Sequence, residues 1–216
     1  MKAACLFSGG KESVYAIQTV QKQGVEVEHL IYEVPSFASP HAVNMEAVKT
    51  LAKSMNKRLT VLNLDEKGEV LVSTLKNLKV EALVAGDINV EQHVTWLTDK
   101  CRRAGNVQLL EPLWEKDTLK LFREMFLGEL DSRFKAVIIG VDTERVKEEW
   151  LGFTLSNKTA EKFLSETQGA DPLGENGEFH TIVIESPLYS NTFRVEPKEK
   201  VTHKNMAFLR VVLREV

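Results

Sequence analysis

The chain has 216 residues, of which 43% are hydrophobic and 27% charged, with a formal net charge of -3. This length can bury the core of one large domain or two small ones, and the composition is that of an ordinary globular protein. The slightly acidic balance gives no overall positive field, so nucleic-acid binding is not expected. No apolar run is long enough for a membrane-spanning helix, and no signal peptide is evident. Two distant cysteines without metal-ligand spacing fit a reducing compartment, so we expect a cytoplasmic protein without membrane contact.

The first half of the chain alternates short apolar runs with segments of helical period. We predict strands at residues 3–7, 25–34, 59–64, 82–85, 107–110 and 134–141, and helices at 12–23, 41–56, 69–78, 90–104 and 119–127. This alternation is typical of parallel strands joined by right-handed helical crossovers. The strands are apolar throughout, which fits a sheet with helices on both faces. The sequence therefore predicts a Rossmann-like α/β fold, in which ligands bind at the carboxyl ends of the strands.

The composition of the sequence and the order of its predicted elements change after about residue 143. Glycine and proline become frequent, and the predicted strands at 181–184 and 208–213 follow turns instead of helices. We therefore predict an α/β domain over residues 1–145 and a smaller α+β lobe over residues 146–216. Trp150 and Phe153, near this boundary, fit either an interface in a homodimer or positions in a core.

The first predicted strand is followed by a glycine-rich hexamer, Ser8-Gly9-Gly10-Lys11-Glu12-Ser13. Glycines let backbone N–H groups approach an anion, and the helix that follows directs unpaired N–H groups and its positive dipole end to the same place. The serine hydroxyls and the Lys11 ammonium can add to such a site. The hexamer is neither a Walker A loop nor a dinucleotide fingerprint. The residues alone leave two readings open: a phosphate site, or a tight turn in which a serine caps the helix.

A second group of polar residues lies in the segment 171–181. Two acids and an imidazole fall within six residues there: Glu175, Glu178 and His180. Such a cluster can bind a cationic substrate, ligate a metal or transfer protons. Because Asn176-Gly177 is a favoured hairpin dipeptide, an acidic hairpin turn is the alternative.

Other polar residues follow predicted strands. Asp87 stands after the fourth strand and Asp142 after the sixth, and each could contact magnesium or substrate or simply cap the next element. His41 and Asn44 open the second predicted helix, where His41 fits a cap or surface position equally well. Trp114 by default fits a buried core position.

The hexamer resembles the pyrophosphate-binding loop (PP-loop) of the N-type ATP pyrophosphatases, Ser-Gly-Gly-x-Asp-Ser, with Glu12 at the usual aspartate. The segment 174–181, Gly-Glu-Asn-Gly-Glu-Phe-His-Thr, resembles the Gly-Glu-x-Gly-Glu-Phe-x-Thr signature of the diphthine–ammonia ligase family and its bacterial relatives. The segments at 41–44 and 112–114 are similar to further parts of that family. The stretch 87–93 departs from it, since it is acidic to neutral where diphthine-amidating members usually carry basic residues, and it looks more like the bacterial branch. The resemblance runs from Ala4 to about Tyr189.

The resemblance implies an adenine nucleotide alpha hydrolase-like fold, with ATP bound by residues 1–145 and substrate by residues 146–216. It implies that ATP is cleaved to AMP and pyrophosphate while a carboxylate, diphthine on translation elongation factor 2, becomes an acyl-adenylate that ammonia converts to an amide. The nucleotide would contact the hexamer, His41 and Asn44, with Mg²⁺ offsetting phosphate charge and Asp87 as its candidate ligand. The catalytic residues would be Glu175, Glu178, His180 and Asp87.

Two other functions stay open. A tRNA-modifying ATP pyrophosphatase uses the same loop but usually needs a basic face or extra domain, and sulfur transfer usually needs paired catalytic cysteines. Cys101 fits a core position better than a nucleophile. A non-enzymatic nucleotide-binding module would keep the fold without turnover, but a sensor needs no acidic cluster such as that at 175–180.

Overall fold

The computed structural model describes residues 1–63, 65, 67–128 and 133–216. Its strands are β1 Lys2–Leu6, β2 Glu26–Val34, β3 Arg58–Asn63, β4 Ala82–Val84, β5 Gln108–Leu110, β6 Lys135–Asp142, β7 Thr154–Leu155, β8 Phe179–Glu185, β9 Phe193–His203 and β10 Met206–Glu215. Its α-helices are α1 Lys11–Lys22, α2 Pro40–Val43, α3 Met45–Ser54, α4 Glu69–Leu78, α5 Glu91–Arg103, α6 Thr118–Phe126 and α7 Ala160–Glu166. Within these ranges, every helix is too short or too polar to cross a membrane.

The chain divides into two compact units. Unit 1 contains Met1–Ser8, Glu12–Phe37 and Asn56–Glu115, and unit 2 contains Gly9–Lys11, Ala38–Met55 and Lys116–Val216. The predicted boundary at residue 145 therefore falls inside unit 2. Unit 2 is also the larger of the two, whereas the sequence predicted a smaller lobe.

Unit 1 is built on a five-stranded parallel sheet in the order β3-β2-β1-β4-β5. The central strands are apolar because both faces are covered, and the residues of β4 are almost inaccessible to solvent. On α4 and α5, Leu75, Leu97 and Cys101 belong to the same buried cluster as Leu83 of β4. This arrangement confirms the predicted α/β fold with a parallel sheet flanked by helices.

The strand order reverses at β1, with β2 on one side of it and β4 on the other. In an open parallel sheet this reversal forms a crevice at the carboxyl ends of the two diverging strands. Gly86, just after β4, lies so close to the start of α1 that an added Cβ would be 3.0 Å from the backbone carbon of Glu12. A side chain at residue 86 would therefore push this wall of the crevice away from α1.

Unit 2 contains an antiparallel sheet with β6 at its centre. β6 pairs with β8 along one side, and with β7 and β10 along the other, while β9 and β10 form a long hairpin. Trp150 is 3% exposed, and its ring centre lies 4.6 Å from that of Phe153 and 5.1 Å from that of Phe163. These contacts place Trp150 in an aromatic core.

The expectation that residues 134–141 continue the parallel sheet is wrong. β6 is apolar because it is the covered centre of the antiparallel sheet, and such a strand has the same composition as a central parallel strand. The helix predicted over 41–56 is interrupted at Asn44, which separates α2 from α3. The sequence analysis also missed β9, whose many charged side chains leave it without a clear apolar alternation.

Candidate functional site

A cavity of about 260 Å³ opens in unit 1 at the carboxyl edge of the parallel sheet. Its apolar wall includes Phe7, Ile31 and Ala85, while its polar lining includes Ser8 and Ser13 of the hexamer. A concave surface with an apolar wall and a few converging polar groups is the usual form of a small-molecule site. The topology explains its position, because the lining comes from the ends of β1, β2 and β4 and from the first turn of α1.

Asp87, His93 and Glu33 line this cavity, and the charge of Asp87 also acts on Glu111. Nδ1 of His93 donates to the Asp87 carboxylate, whose oxygens lie 2.8 and 2.9 Å away, and this hydrogen bond raises the pKa of His93. Burial raises the pKa of Glu111 to about 7, and the charge of Asp87 contributes to the shift. Burial likewise raises the pKa of Glu33, with a further contribution from Asp87. The site is therefore an acidic one in which protonation depends on several neighbours at once.

The sequence analysis did not single out Glu33 or His93. Glu33 is the penultimate residue of β2, so the rule that ligands bind at the carboxyl ends of strands pointed to its vicinity without selecting the side chain. His93 lies in the first turn of α5 and meets Asp87 across the connection between β4 and α5. Only the fold brings these two side chains to the cavity wall.

The predicted magnesium ligand, Asp87, lines the cavity but engages His93. Among the residues that the structure describes, no group of three or more His, Cys, Asp or Glu side chains is arranged to hold a metal ion. Magnesium in nucleotide sites is commonly held by one or two carboxylates together with substrate phosphates. Asp87 fits that kind of incomplete site, and its role as a ligand stays a prediction.

In unit 2, the middle of the hexamer lies against β8. The N–H of Val183 donates to the carbonyl of Gly9 over 2.9 Å, and the N–H of Lys11 donates to Oγ1 of Thr181 over 3.2 Å. Lys11 is only 2% exposed, and its ammonium lies 4.6 Å from the centre of the Phe179 ring. The two segments that carry the strongest sequence motifs are therefore in direct contact.

The carboxylate of Glu178 is held by its own loop. It accepts hydrogen bonds from the N–H of Asp171, 3.1 Å away, and from the N–H and Nδ2 of Asn176, 2.9 and 3.0 Å away. Burial by itself raises the pKa of Glu178, but these hydrogen bonds outweigh it and the pKa is lowered. Glu178 is thus a buried, ionised side chain whose hydrogen bonds shape the loop before β8.

His180 is brought together with two other predicted site residues. Its ring meets that of His41 edge-on, with 5.8 Å between the ring centres. Burial lowers the pKa of His180 to about 4, and the nearby positive charge of Lys11 acts in the same direction. His180 is therefore neutral at pH 7.

Glu175 is half-buried in the preceding loop, where its N–H lies 3.3 Å from Oδ1 of Asp171.

Asn44 makes a different kind of contact from the one predicted. Its Nδ2 donates to the carbonyls of Pro40 and Leu209 over 2.8 and 2.9 Å, and its Oδ1 accepts from the N–H of Val211 over 2.8 Å. The side chain is 2% exposed. This bonding pattern fastens the junction of α2 and α3 to β10, which fits a structural role.

The contacts of two further candidates, Asp142 and Cys101, indicate structural roles. Asp142 accepts from the N–H of Glu144 over 3.0 Å and lies 3.5 Å from Nε of Arg145, so it caps the turn after β6. Cys101 is 2% exposed in the core, and burial raises its pKa to about 11. The core position predicted for Cys101 is confirmed, and its thiol is poorly suited to act as a nucleophile.

Comparison with known proteins gives consistent matches along the chain. A family model for the diphthamide synthase N-terminal domain matches residues 1–108, and one for the diphthamide synthase C-terminal domain matches residues 117–215. The junction between the two matches coincides with the start of the long segment of unit 2 at Lys116.

Individual diphthine–ammonia ligases share low sequence identity with this chain. Diphthine–ammonia ligases of Rattus norvegicus and Homo sapiens are each 26% identical to this chain, over 98% of this chain and 89% of the relative. The Schizosaccharomyces pombe protein of the same name is also 26% identical, but the match covers 39% of its length. A solved structure of a predicted subunit of tRNA methyltransferase from Methanocaldococcus jannaschii gives a TM-score of 0.38 at 20% identity, covering 58% of this chain and 75% of that one.

Proposed function

Because the chain belongs to the diphthamide synthase family, we propose that it is an ATP-dependent ligase that converts a carboxylate to an amide with ammonia. The observation that carries this proposal is the position of the hexamer, which follows β1 at the point where the strand order reverses. Ser8, Glu12 and Ser13 line the cavity there. The acceptor that we propose is diphthine on elongation factor 2, since the relatives are named diphthine–ammonia ligases.

In the proposed complex, the adenosine moiety of ATP occupies the cavity of unit 1 and the phosphates lie on the hexamer. The apolar wall with Phe7 and Ile31 suits a purine, and the nearby carboxylates suit ribose hydroxyls. At about 260 Å³ the cavity is small for a whole nucleotide triphosphate, which fits phosphates extending out of it along the loop. Backbone N–H groups at the start of α1 and the ammonium of Lys11 would bind those phosphates.

The proposed reaction has two steps. An oxygen of the acceptor carboxylate attacks the α-phosphorus, the bond to the bridging oxygen breaks, and pyrophosphate leaves with both electrons of that bond. Ammonia then attacks the acyl carbon, and AMP leaves with the oxygen that joined it to that carbon. The nitrogen loses a proton to give the amide. Lys11 and the loop N–H groups would stabilise negative charge on the departing pyrophosphate. Mg²⁺ bound with ATP would offset phosphate charge, and Asp87, which lines the cavity, is its proposed ligand.

The acidic residues have different proposed roles. Asp87 and Glu33 give the cavity wall a negative charge that favours a cation such as magnesium or ammonium. Glu175 and His180 remain the proposed contacts for the acceptor and ammonia, because diphthine carries a trimethylammonium group that carboxylates and ring faces attract. Glu178 and Asn44 are assigned to holding the fold, since the chain itself saturates their hydrogen bonds.

The proposal is tested with ATP labelled at the α-phosphate. The protein is incubated with magnesium, ammonium and either diphthine-bearing elongation factor 2 or the fully modified factor, whose carboxylate is already an amide. We expect labelled AMP only with the diphthine form. AMP formed equally with both would retain ATP pyrophosphatase chemistry and exclude diphthine as the acceptor, while labelled ADP would exclude the adenylating mechanism.

A further inference from the structure

We propose that Phe179 and Thr181 of β8 are positioning residues for Lys11, so that the segment 174–181 acts on the phosphate-binding loop. This inference rests on the proposed function, because it takes Lys11 as the cation that binds the β- and γ-phosphates of ATP. It differs from the role that the resemblance implied for the segment, which was confined to substrate and ammonia. The contacts that support it all lie within unit 2.

Two hydrogen bonds fix the backbone of the loop against β8. The carbonyl of Gly9 accepts from the N–H of Val183, and two residues later the N–H of Lys11 donates to Oγ1 of Thr181. Thr181 is 1% exposed, so this contact is shielded from water. Gly9 has a φ of +77°, and an added Cβ would lie 3.1 Å from Leu51, so the turn has little room to shift. The loop is therefore held on both sides of Gly10.

The side chain of Lys11 is held by an aromatic face. Its ammonium lies 4.6 Å from the centre of the Phe179 ring, and the residue is 2% exposed. A ring face attracts a cation at this distance. Phe179 therefore helps to orient the ammonium of Lys11.

Phe179 is itself held in place. It is 1% exposed, and its ring meets that of Phe163 edge-on with 5.1 Å between centres. On another side, an added Cβ at Gly174 would lie 2.9 Å from Cδ1 of Phe179 and 2.8 Å from its carbonyl oxygen. Gly174 therefore permits close packing that a side chain would prevent. Since Glu178 organises the loop that contains Gly174, a chain of contacts runs from Glu178 through Gly174 and Phe179 to Lys11.

The test compares two aromatic residues of one core. Phe179→Leu removes the ring beneath Lys11, and Phe126→Leu removes another buried ring of unit 2, one that packs on Phe122 and Phe134. Binding of ATP and of AMP to the full chain is measured by calorimetry in the presence of magnesium. Because AMP lacks the β- and γ-phosphates, the ratio of the two affinities reports the contact with Lys11. We expect Phe179→Leu to reduce this ratio about tenfold and Phe126→Leu to leave it unchanged, even if both variants are less stable.

A second pair of variants, both at Thr181, tests the hydrogen bond from the N–H of Lys11. This pair remains informative if Phe179→Leu does not fold. Thr181→Val removes the oxygen that accepts from Lys11 in a side chain of nearly the same shape, while Thr181→Ser keeps that oxygen. We expect the ratio of ATP to AMP affinity to fall more in Thr181→Val than in Thr181→Ser. If the ratio of ATP to AMP affinity is the same for the two phenylalanine variants, and the same for Thr181→Val and Thr181→Ser, Phe179 and Thr181 do not position Lys11. The proposed function would still stand. Absence of ATP binding by the parent chain would overturn the proposed function and this inference with it.

Discussion

His93 and Asp87 form a hydrogen-bonded pair at the carboxyl end of the parallel sheet, with 2.8 Å between Nδ1 and Oδ1. The residues come from different elements, since Asp87 follows β4 and His93 lies in α5. The pair joins the candidate metal ligand to a histidine whose pKa is raised by this hydrogen bond. Protonation of His93 and occupancy of the cavity by a cation are therefore expected to oppose each other.

The first prediction concerns this pair. Asp87→Asn removes the negative partner, so we expect the pKa of His93, followed by NMR in the magnesium-free protein, to fall. The raised pKa of His93 stabilises the folded state below its unfolded pKa and ceases to do so as pH rises through its folded value. The variant is thus expected to lose stability mainly at acidic pH. Glu91→Gln, an exposed change in the same helix, serves as the control. An unaltered His93 pKa in Asp87→Asn would contradict the pairing.

The second prediction concerns Glu111. Its pKa of about 7 in the folded state exceeds the usual value, so the folded protein binds an extra proton between about pH 4.5 and 7. The free energy of unfolding therefore falls across that interval as pH rises. Glu111→Gln is expected to melt a few degrees higher than the parent at pH 8 and no higher at pH 4. Glu115→Gln, at an exposed position nearby, is expected to leave the melting temperature unchanged at both pH values. A lower melting temperature for Glu111→Gln than for the parent at pH 8 would show that the ionised Glu111 stabilises the fold, which would contradict its raised pKa.

The third prediction concerns the charge of Lys11. Lys11→Met keeps a flexible side chain of similar volume over Phe179 and removes the cation, so the fold is expected to persist. Loss of one charge-assisted contact is expected to weaken ATP binding by about tenfold or more, with a smaller effect on AMP. Lys49→Met, in an exposed position on α3, is the control. Unchanged ATP affinity in Lys11→Met would show that the phosphates bind elsewhere.

The fourth prediction separates the two glutamates of the segment 174–181. Glu178→Gln turns an acceptor of three hydrogen bonds into a group that presents an NH₂ to other donors, so we expect a loss of about 1–3 kcal/mol in the free energy of unfolding. Because the pKa of Glu178 is lowered, its contribution in the parent is present above its unfolded pKa and is lost as pH falls through the folded value.

Glu175→Gln is the matched comparison in the same loop. The substitution keeps the backbone N–H of Glu175, which donates to Oδ1 of Asp171, so we expect that hydrogen bond to persist. Acceptor-dependent AMP formation is expected to fall if Glu175 contacts the acceptor. Equal stability of Glu178→Gln and the parent would remove the structural role of Glu178, and full turnover in Glu175→Gln would remove its proposed contact with the acceptor.

The sequence predicted unit 1 well because periodicity and apolar runs report local structure. The range of α4 was predicted without error, and the hexamer follows β1 as predicted, although its last three residues already belong to α1. β6 was assigned to the other sheet because burial on both faces produces apolar strands in either kind of pairing.

Site residues were harder to predict than elements, since a side chain's role depends on contacts distant in sequence. Asn44 is bonded to β10, more than 160 residues away, and nothing in its local pattern distinguishes this from a ligand contact. Glu178 was predicted as catalytic from the family resemblance, whereas its bonds to residues 171 and 176 indicate a structural role. The contact of Phe179 with Lys11 likewise joins two motifs that the sequence presents separately.

The proposed ligase joins ammonia to a carboxylate while it cleaves ATP. The most direct measurement supplies ¹⁵N-ammonium, ATP and magnesium with diphthine-bearing elongation factor 2, and then analyses the modified histidine by mass spectrometry. We predict one ¹⁵N atom in the side-chain amide of the acceptor, formed in equal amount with AMP. An acceptor that keeps its carboxylate while ATP is converted to AMP would contradict the account, because cleavage would then be uncoupled from amide formation.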